Sequence, residues 1–272
     1  MAAGFPVLRE LKVWCSEPVV WRQDWNFQNL RSLAIKGLGC KPGNFRLPNF
    51  PDLLNLKLCF GEYYYMPHRG DFDVYVDWSR LPSLLALDIE GVLDEPLYGY
   101  LNFKGVTKSL RRFTAKHMNG WDFWDHWKSM NESLEEIRLY NSRENYPCYT
   151  VLDFPRLKTL ELANSLDCLP HFNIGLPALS QIDLKLGPGD FGYDIPYHLS
   201  SPSSVLKRLP ITLSLMQDDG VYSHWLEELR DLDCPLPEIL TQLVSLPNVS
   251  LGEDDNTILQ ILSSWDSRFR AA

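Results

Sequence analysis

The residue types most suited to chemistry gather between His117 and Met130, in the run Trp121-Asp-Phe-Trp-Asp-His-Trp-Lys-Ser-Met130. Asp122 and His126 stand four apart, a spacing that puts both on one face of a helix, with His117 and Asp125 nearby. Two such donors could share a proton or begin a metal site. Zinc, however, takes three or four specific donors braced by supporting groups. Trp121/Trp124 and Phe123/Trp127 are also at helical spacing, so the segment reads first as an aromatic helical turn packed on the outside of the fold. A metal-dependent enzyme centred on His117 to His126 is the alternative reading.

Gly37, Gly39 and Gly43 lie in Gly37-Leu-Gly-Cys-Lys-Pro-Gly43, whose spacing matches neither the dinucleotide fingerprint nor the phosphate loop, and it reads as a turn. Cys15, Cys40, Cys59, Cys148, Cys168 and Cys234 include no Cys-x-x-Cys pair and read as reduced thiols. No nucleophile stands at a definable spacing from a base, so the sequence assigns no catalytic residue, metal or cofactor.

What must position any functional side chain is a repeated unit. Phe154-Pro-Arg-Leu-Lys-Thr-Leu-Glu-Leu-Ala-Asn-Ser165 follows the frame [Phe/Leu]-Pro-x-Leu-x-x-Leu-x-Leu, whose last two leucines alternate with polar or small residues as in a half-buried strand. The frame returns at Leu8/Leu11/Val13, Leu30/Leu33/Ile35, Leu53/Leu56/Leu58, Leu84/Leu87/Ile89, Leu110/Phe113/Ala115, Leu134/Ile137/Leu139 and Leu179/Ile182/Leu184, with a weaker ninth copy at Leu206/Leu209/Ile211. Most spacings fall in the range of roughly 20–29 residues typical of leucine-rich repeats. One short strand cannot bury its apolar residues alone. Stacking each copy beside the last in parallel builds a continuous core.

The chain of 272 residues is 45% hydrophobic, and charges interrupt its apolar stretches short of a membrane span. No basic segment with an apolar run opens it, so a cytoplasmic or nuclear protein is expected. Its net charge of −9 is uneven. Residues 216–272 hold eleven Asp/Glu against three Lys/Arg, which argues against nucleic acid as the partner.

The expected organisation is a solenoid over residues 1–215, then a degenerate last repeat and an acidic helical C-terminal cap over 216–272. An aromatic insertion, residues 60–78, lengthens the third interval. Phe72, Val74, Val76 and Trp78 alternate there with polar residues and Tyr75, predicting an extra strand. The insert either packs its rings on the solenoid or presents Tyr63, Tyr64, Tyr65, Tyr75 and Trp78 to a partner. Leu246/Val249/Leu251 echoes a final repeat strand, and Ile258, Ile261, Leu262, Trp265 and Phe269 have helical spacing.

Residues flanking the strand leucines point away from the core and form three columns on the inner face of the stack. The first is Glu10, Ser32, Asn55, Ala86, Arg112, Glu136, Thr159, Gln181; the second Lys12, Ala34, Lys57, Asp88, Thr114, Arg138, Glu161, Asp183. The third is Trp14, Lys36, Cys59, Glu90, Lys116, Tyr140, Ala163, Lys185. Seven cations face six anions here, so the face is near neutral on an acidic chain. Lys12, Trp14, Lys36, Lys57, Arg112, Lys116, Arg138 and Tyr140 are the candidate partner-binding residues, suited to a protein of matched charge.

On its eight clear frames over residues 5–215, the chain resembles a leucine-rich-repeat protein. That resemblance implies an α/β arc or horseshoe with a parallel sheet on its concave face, here with irregular repeats. The Phe-Pro and Leu-Pro entries and frequent tryptophans are more loosely similar to the repeat regions of fungal and plant F-box-type proteins. In that family the arc receives a substrate while an N-terminal F-box docks on a cullin-RING ubiquitin ligase. No F-box helix precedes Phe5, so the likeness implies a non-enzymatic recognition part with a protein partner and possible contact with ligase components. A repeat fragment of an innate-immune receptor is the other binding alternative. Three residues past the last strand leucine, where such repeats carry Asn or Cys, stand Ser16, Leu38, Gly61, Val92, Met118, Ser142, Ser165 and Gly187, with Asn141 and Asn164 one residue early, and irregular turns are expected.

Overall fold

The structure, a computed structural model, describes residues 7–14, 27–38, 43–61, 72–91, 101–118, 127–142, 153–165, 168, 176–187, 209–215, 241 and 243–252. Thirteen strands lie among them: β1 (Glu10–Trp14), β2 (Ser32–Leu38), β3 (Gly43–Arg46), β4 (Asn55–Phe60), β5 (Phe72–Asp77), β6 (Ala86–Glu90), β7 (Leu101–Lys104), β8 (Arg112–Lys116), β9 (Glu136–Tyr140), β10 (Thr159–Ala163), β11 (Gln181–Leu186), β12 (Ile211–Leu215) and β13 (Val249–Leu251). Ten form one sheet in the order β1-β2-β4-β6-β8-β9-β10-β11-β12-β13, and β3-β5-β7 form a second. Every pairing is parallel, so the chain is a parallel-sheet β-solenoid.

Each inner turn buries the leucines of its frame. Leu33 and Ile35, Leu56 and Leu58, Leu87 and Ile89, and Ile137 and Leu139 are at most 1% exposed. Burying one such side chain is worth roughly 1.5–3 kcal/mol. Several strands are entered through a hydrogen-bonded turn: Leu53, Leu84, Leu157 and Leu179 donate their N–H to the carbonyls of Phe50, Leu81, Phe154 and Leu176. Pro51, Pro82, Pro155 and Pro177 occupy the second turn position, where fixed φ helps and no N–H is required.

The ninth copy departs from its expected frame. Ile182 pairs laterally with Ile211 and Leu184 with Leu213, two residues later than the frame Leu206/Leu209/Ile211 requires. Pro210 offers no amide to a ladder, so the strand begins at Ile211. β13 then joins the same sheet, with Val249 beside Ile211 and Leu251 beside Leu213. The terminal helix expected over residues 254–269 lies outside the described residues.

The returning side also differs from the α/β expectation. Among the described residues it carries β3, β5 and β7, a 3-10 turn at Trp78–Arg80 and short helical pieces rather than long helices. β5 forms where the insert alternates, and Val74, Val76 and Trp78 are buried. Trp78 stacks on Phe103 at 5.0 Å between centroids. Trp127 is 1% exposed and meets Phe113 and Phe154 edge-on at 5.2 and 5.6 Å, so it is core.

Candidate functional site

Lateral register decides which side chains meet on the face opposite the core. Glu10 pairs with Ser32, Ser32 with Asn55, Asn55 with Ala86, Ala86 with Arg112, Arg112 with Glu136, Glu136 with Thr159 and Thr159 with Gln181. The columns headed by Lys12 and Trp14 run in the same register and extend to Thr212 and Ser214 on β12. All eight candidate residues of the inner face therefore share one surface.

Two clusters tie up part of that surface. In the first, Lys57 Nζ lies 2.8 Å from Glu90 Oε2, and the Cys59 thiol donates to the same oxygen at 3.4 Å. Lys57 and Glu90 are diagonal neighbours, because Lys57 sits beside Asp88 and Glu90 follows two residues on. Burial pushes the Cys59 thiol up, to about 11, against the opposing pull of Lys57. Burial also works against the Glu90 carboxylate, but the hydrogen bond and charge of Lys57 outweigh it and hold that group below its usual value. A thiol so protonated is a poor nucleophile.

The second cluster centres on Glu161, 7% exposed although it belongs to the open face. Lys185 Nζ approaches it at 2.5 Å and Arg138 Nε at 3.5 Å, while Arg138 also lies 2.5 Å from Glu136. Long side chains from both neighbouring strands fold over the carboxylate, which explains its burial. Tyr140 completes the group. Its hydroxyl is pushed up to about 12, first by burial and then by the negative charge of Glu161.

Other candidates make none of the ion pairs of these clusters, although the charge of Lys116 also helps hold the Glu90 carboxylate down. Lys12, Lys36, Arg112 and Lys116 are exposed, and neither Lys12 nor Arg112 has an ion-pair partner among the described residues. Trp14 is 79% exposed with Lys36 Nζ 5.5 Å from its ring centre, and Lys116 lies 5.2 Å over Tyr140. In the insert, Tyr75 is half-buried under Arg46 at 5.1 Å. Trp78 is a correction: at 3% exposure it belongs to the core and offers no contact surface. Tyr63, Tyr64 and Tyr65 lie outside the described residues.

Three consecutive strand exits, those of β8, β9 and β10, are more regular than the sequence suggested. His117, Asn141 and Asn164 occupy equivalent positions with φ of 54, 47 and 49°, the left-handed conformation that ends β8, β9 and β10. Their N–H groups donate to the carbonyls of Tyr140, Ala163 and Lys185 on the next turn. Below them Ser165 Oγ accepts from the Ser142 N–H at 2.9 Å, Ser142 Oγ accepts from the Met118 N–H at 3.4 Å, and Asn164 Nδ2 donates to Asn141 Oδ1 at 2.8 Å. His117 is thus a turn residue. Asp122, Asp125 and His126 lie outside the described residues, and among the described ones no group of three or more His, Cys, Asp or Glu could hold a metal ion. Gly37, with φ 76°, sits at the register shift between Lys36 and Leu38 of β2.

Fold and surface together define a β-solenoid whose long sheet presents a mixed-charge face. No protein-family model, curated protein or solved structure matches the chain. No helix among the described residues is long and apolar enough to cross a membrane.

Proposed function

We propose that this chain is a non-enzymatic recognition module of the leucine-rich-repeat type, which captures a protein partner on the open face of its long sheet. The observation that carries the reading is the register-aligned surface itself. Exposed Trp14, Lys36, Arg112 and Lys116 stand on it beside cations already neutralised by Glu90, Glu136 and Glu161. Aromatic rings and unneutralised cations at fixed strand spacing suit an acidic protein surface, with electrostatics orienting the encounter. Service as the substrate-recognition part of an F-box-like ubiquitin-ligase receptor belongs to this proposal.

The test is affinity capture with quantitative mass spectrometry, comparing the wild-type chain with a K36E/R112E/K116E variant. Lys57 and Arg138 are poor choices for reversal, because each already holds a carboxylate and its reversal would place like charges together. A partner recovered by wild type and lost by the variant, together with cullin-RING components, is the expected result. Identical capture by both removes the open face from the reading, and a charge-sensitive partner without ligase components removes the receptor role.

A further inference from the structure

β1 is the first strand of the long sheet and, among the described residues, pairs on one side only, with β2. The Arg9 carbonyl accepts from the Arg31 and Ser32 N–H groups at 2.8 and 3.0 Å, so the backbone groups of Arg9, Leu11 and Val13 point toward β2. By alternation along the strand, those of Glu10, Lys12 and Trp14 point away from it. These outward groups have no hydrogen-bond partner among the described residues. Leu11 and Val13 are only half-buried, whereas their lateral equivalents Leu33 and Ile35 are 1% and 0% exposed. Val7 at 88% and Trp14 at 79% exposure flank the same edge. An unpaired strand beside a half-covered core is a template for another strand.

We propose that β1 is a self-association seam: two copies of this chain pair their β1 strands antiparallel about a two-fold axis through Leu11. A two-fold interface must be self-complementary, and Glu10-Leu11-Lys12 is so in this one register. Glu10 then stands directly opposite Lys12 of the second copy, twice, and the two Leu11 side chains meet on the core side. An axis through Lys12 would oppose two lysines, and one through Glu10 two glutamates. An axis through Val13 leaves Glu10 without a cation. A slip of one residue between the strands would turn the open-face residues of one copy onto the core side. The outward backbone groups of Glu10 and Lys12 complete a hydrogen-bonded pair in the chosen register, and the open faces of both sheets become one continuous surface. The seam is independent of the partner reading above.

The test is light scattering and sedimentation on the 272-residue chain across micromolar concentrations, with Glu10→Lys, Lys12→Glu and the double exchange. The wild type is expected to dimerise at tens of micromolar. Each single change faces like charges twice and weakens the dimer by about ten-fold or more. The double exchange restores opposite charges and with them the dimer. Both residues are exposed, so circular dichroism is expected to show every variant folded. A wild type that stays monomeric, single variants that dimerise as well as wild type, or a folded double variant that does not recover would each overturn the seam.

Discussion

Ser165→Ala probes the buried ladder that holds successive strand exits together. Ser165 is 1% exposed and Ser142 0%. The Ser165 hydroxyl accepts from the Ser142 N–H at 2.9 Å and donates to the Ala163 carbonyl at 2.8 Å. Alanine removes the acceptor while its methyl keeps most of the volume. The Ala163 carbonyl retains the Asn141 N–H at 2.8 Å, so one orphan results: the Ser142 N–H, in a place too buried for bulk water. A buried donor left without a partner costs about 1–3 kcal/mol. Ser142→Ala deprives the Met118 N–H of a contact already long at 3.4 Å, so its loss is smaller. Urea unfolding of both variants measures the order, and unchanged denaturant slopes license the comparison. A Ser165→Ala variant within about 0.5 kcal/mol of wild type, or a Ser142→Ala variant that loses more, would refute the ladder as a source of stability.

Two further predictions follow from close contacts. A Cβ added at Gly187 would lie 2.5 Å from Asn164 Cβ, so Gly187→Ala is expected to cost about 1–3 kcal/mol and to cost less in an Asn164→Gly background; equal penalties in both backgrounds would rule out this clash. Glu90 has a folded pKa below its ordinary 4.5, so its contribution to stability is present above that value and is lost as pH falls through the lower folded one. Glu90→Gln should therefore flatten the acid limb of a stability-versus-pH curve below about pH 5, and an unchanged limb would show that the Lys57 pair carries no such coupling.

The long sheet was legible because the leucine frame repeats and strand alternation assigns each residue a face. Once Leu160 and Leu162 point inward, Thr159 and Glu161 have one place to go. The ninth strand slipped by two residues because Leu206 and Leu209 satisfy the apolar frame, while Pro210 has no N–H to give the ladder and joins it only through its carbonyl, which accepts from Ile182. Of the second sheet only β5 announced itself. Gly43–Arg46 and Leu101–Lys104 are four residues each and are fixed by lateral pairing with β5, which no local pattern records. Trp78 could have been separated from Tyr75 in advance: it shares parity with Val74 and Val76, the buried face of β5, and the 3-10 turn begins on it. The ion pairs were harder to read, since Lys57–Glu90 and Lys185–Glu161 join diagonal neighbours across strands and depend on the register. The serine ladder was hidden because its residues alternate with Asn141 and Asn164, so neither position alone matches the expected asparagine.

The central claim is that the open face of the long sheet receives a protein partner. A photo-crosslinking amino acid at Arg112, on that face, compared with one at Val106, which is 61% exposed beyond β7, tests it most directly. The account predicts a discrete crosslinked partner from the Arg112 position and none from Val106. Crosslinking from Val106 alone, or from neither position in the native cell extract, would contradict it.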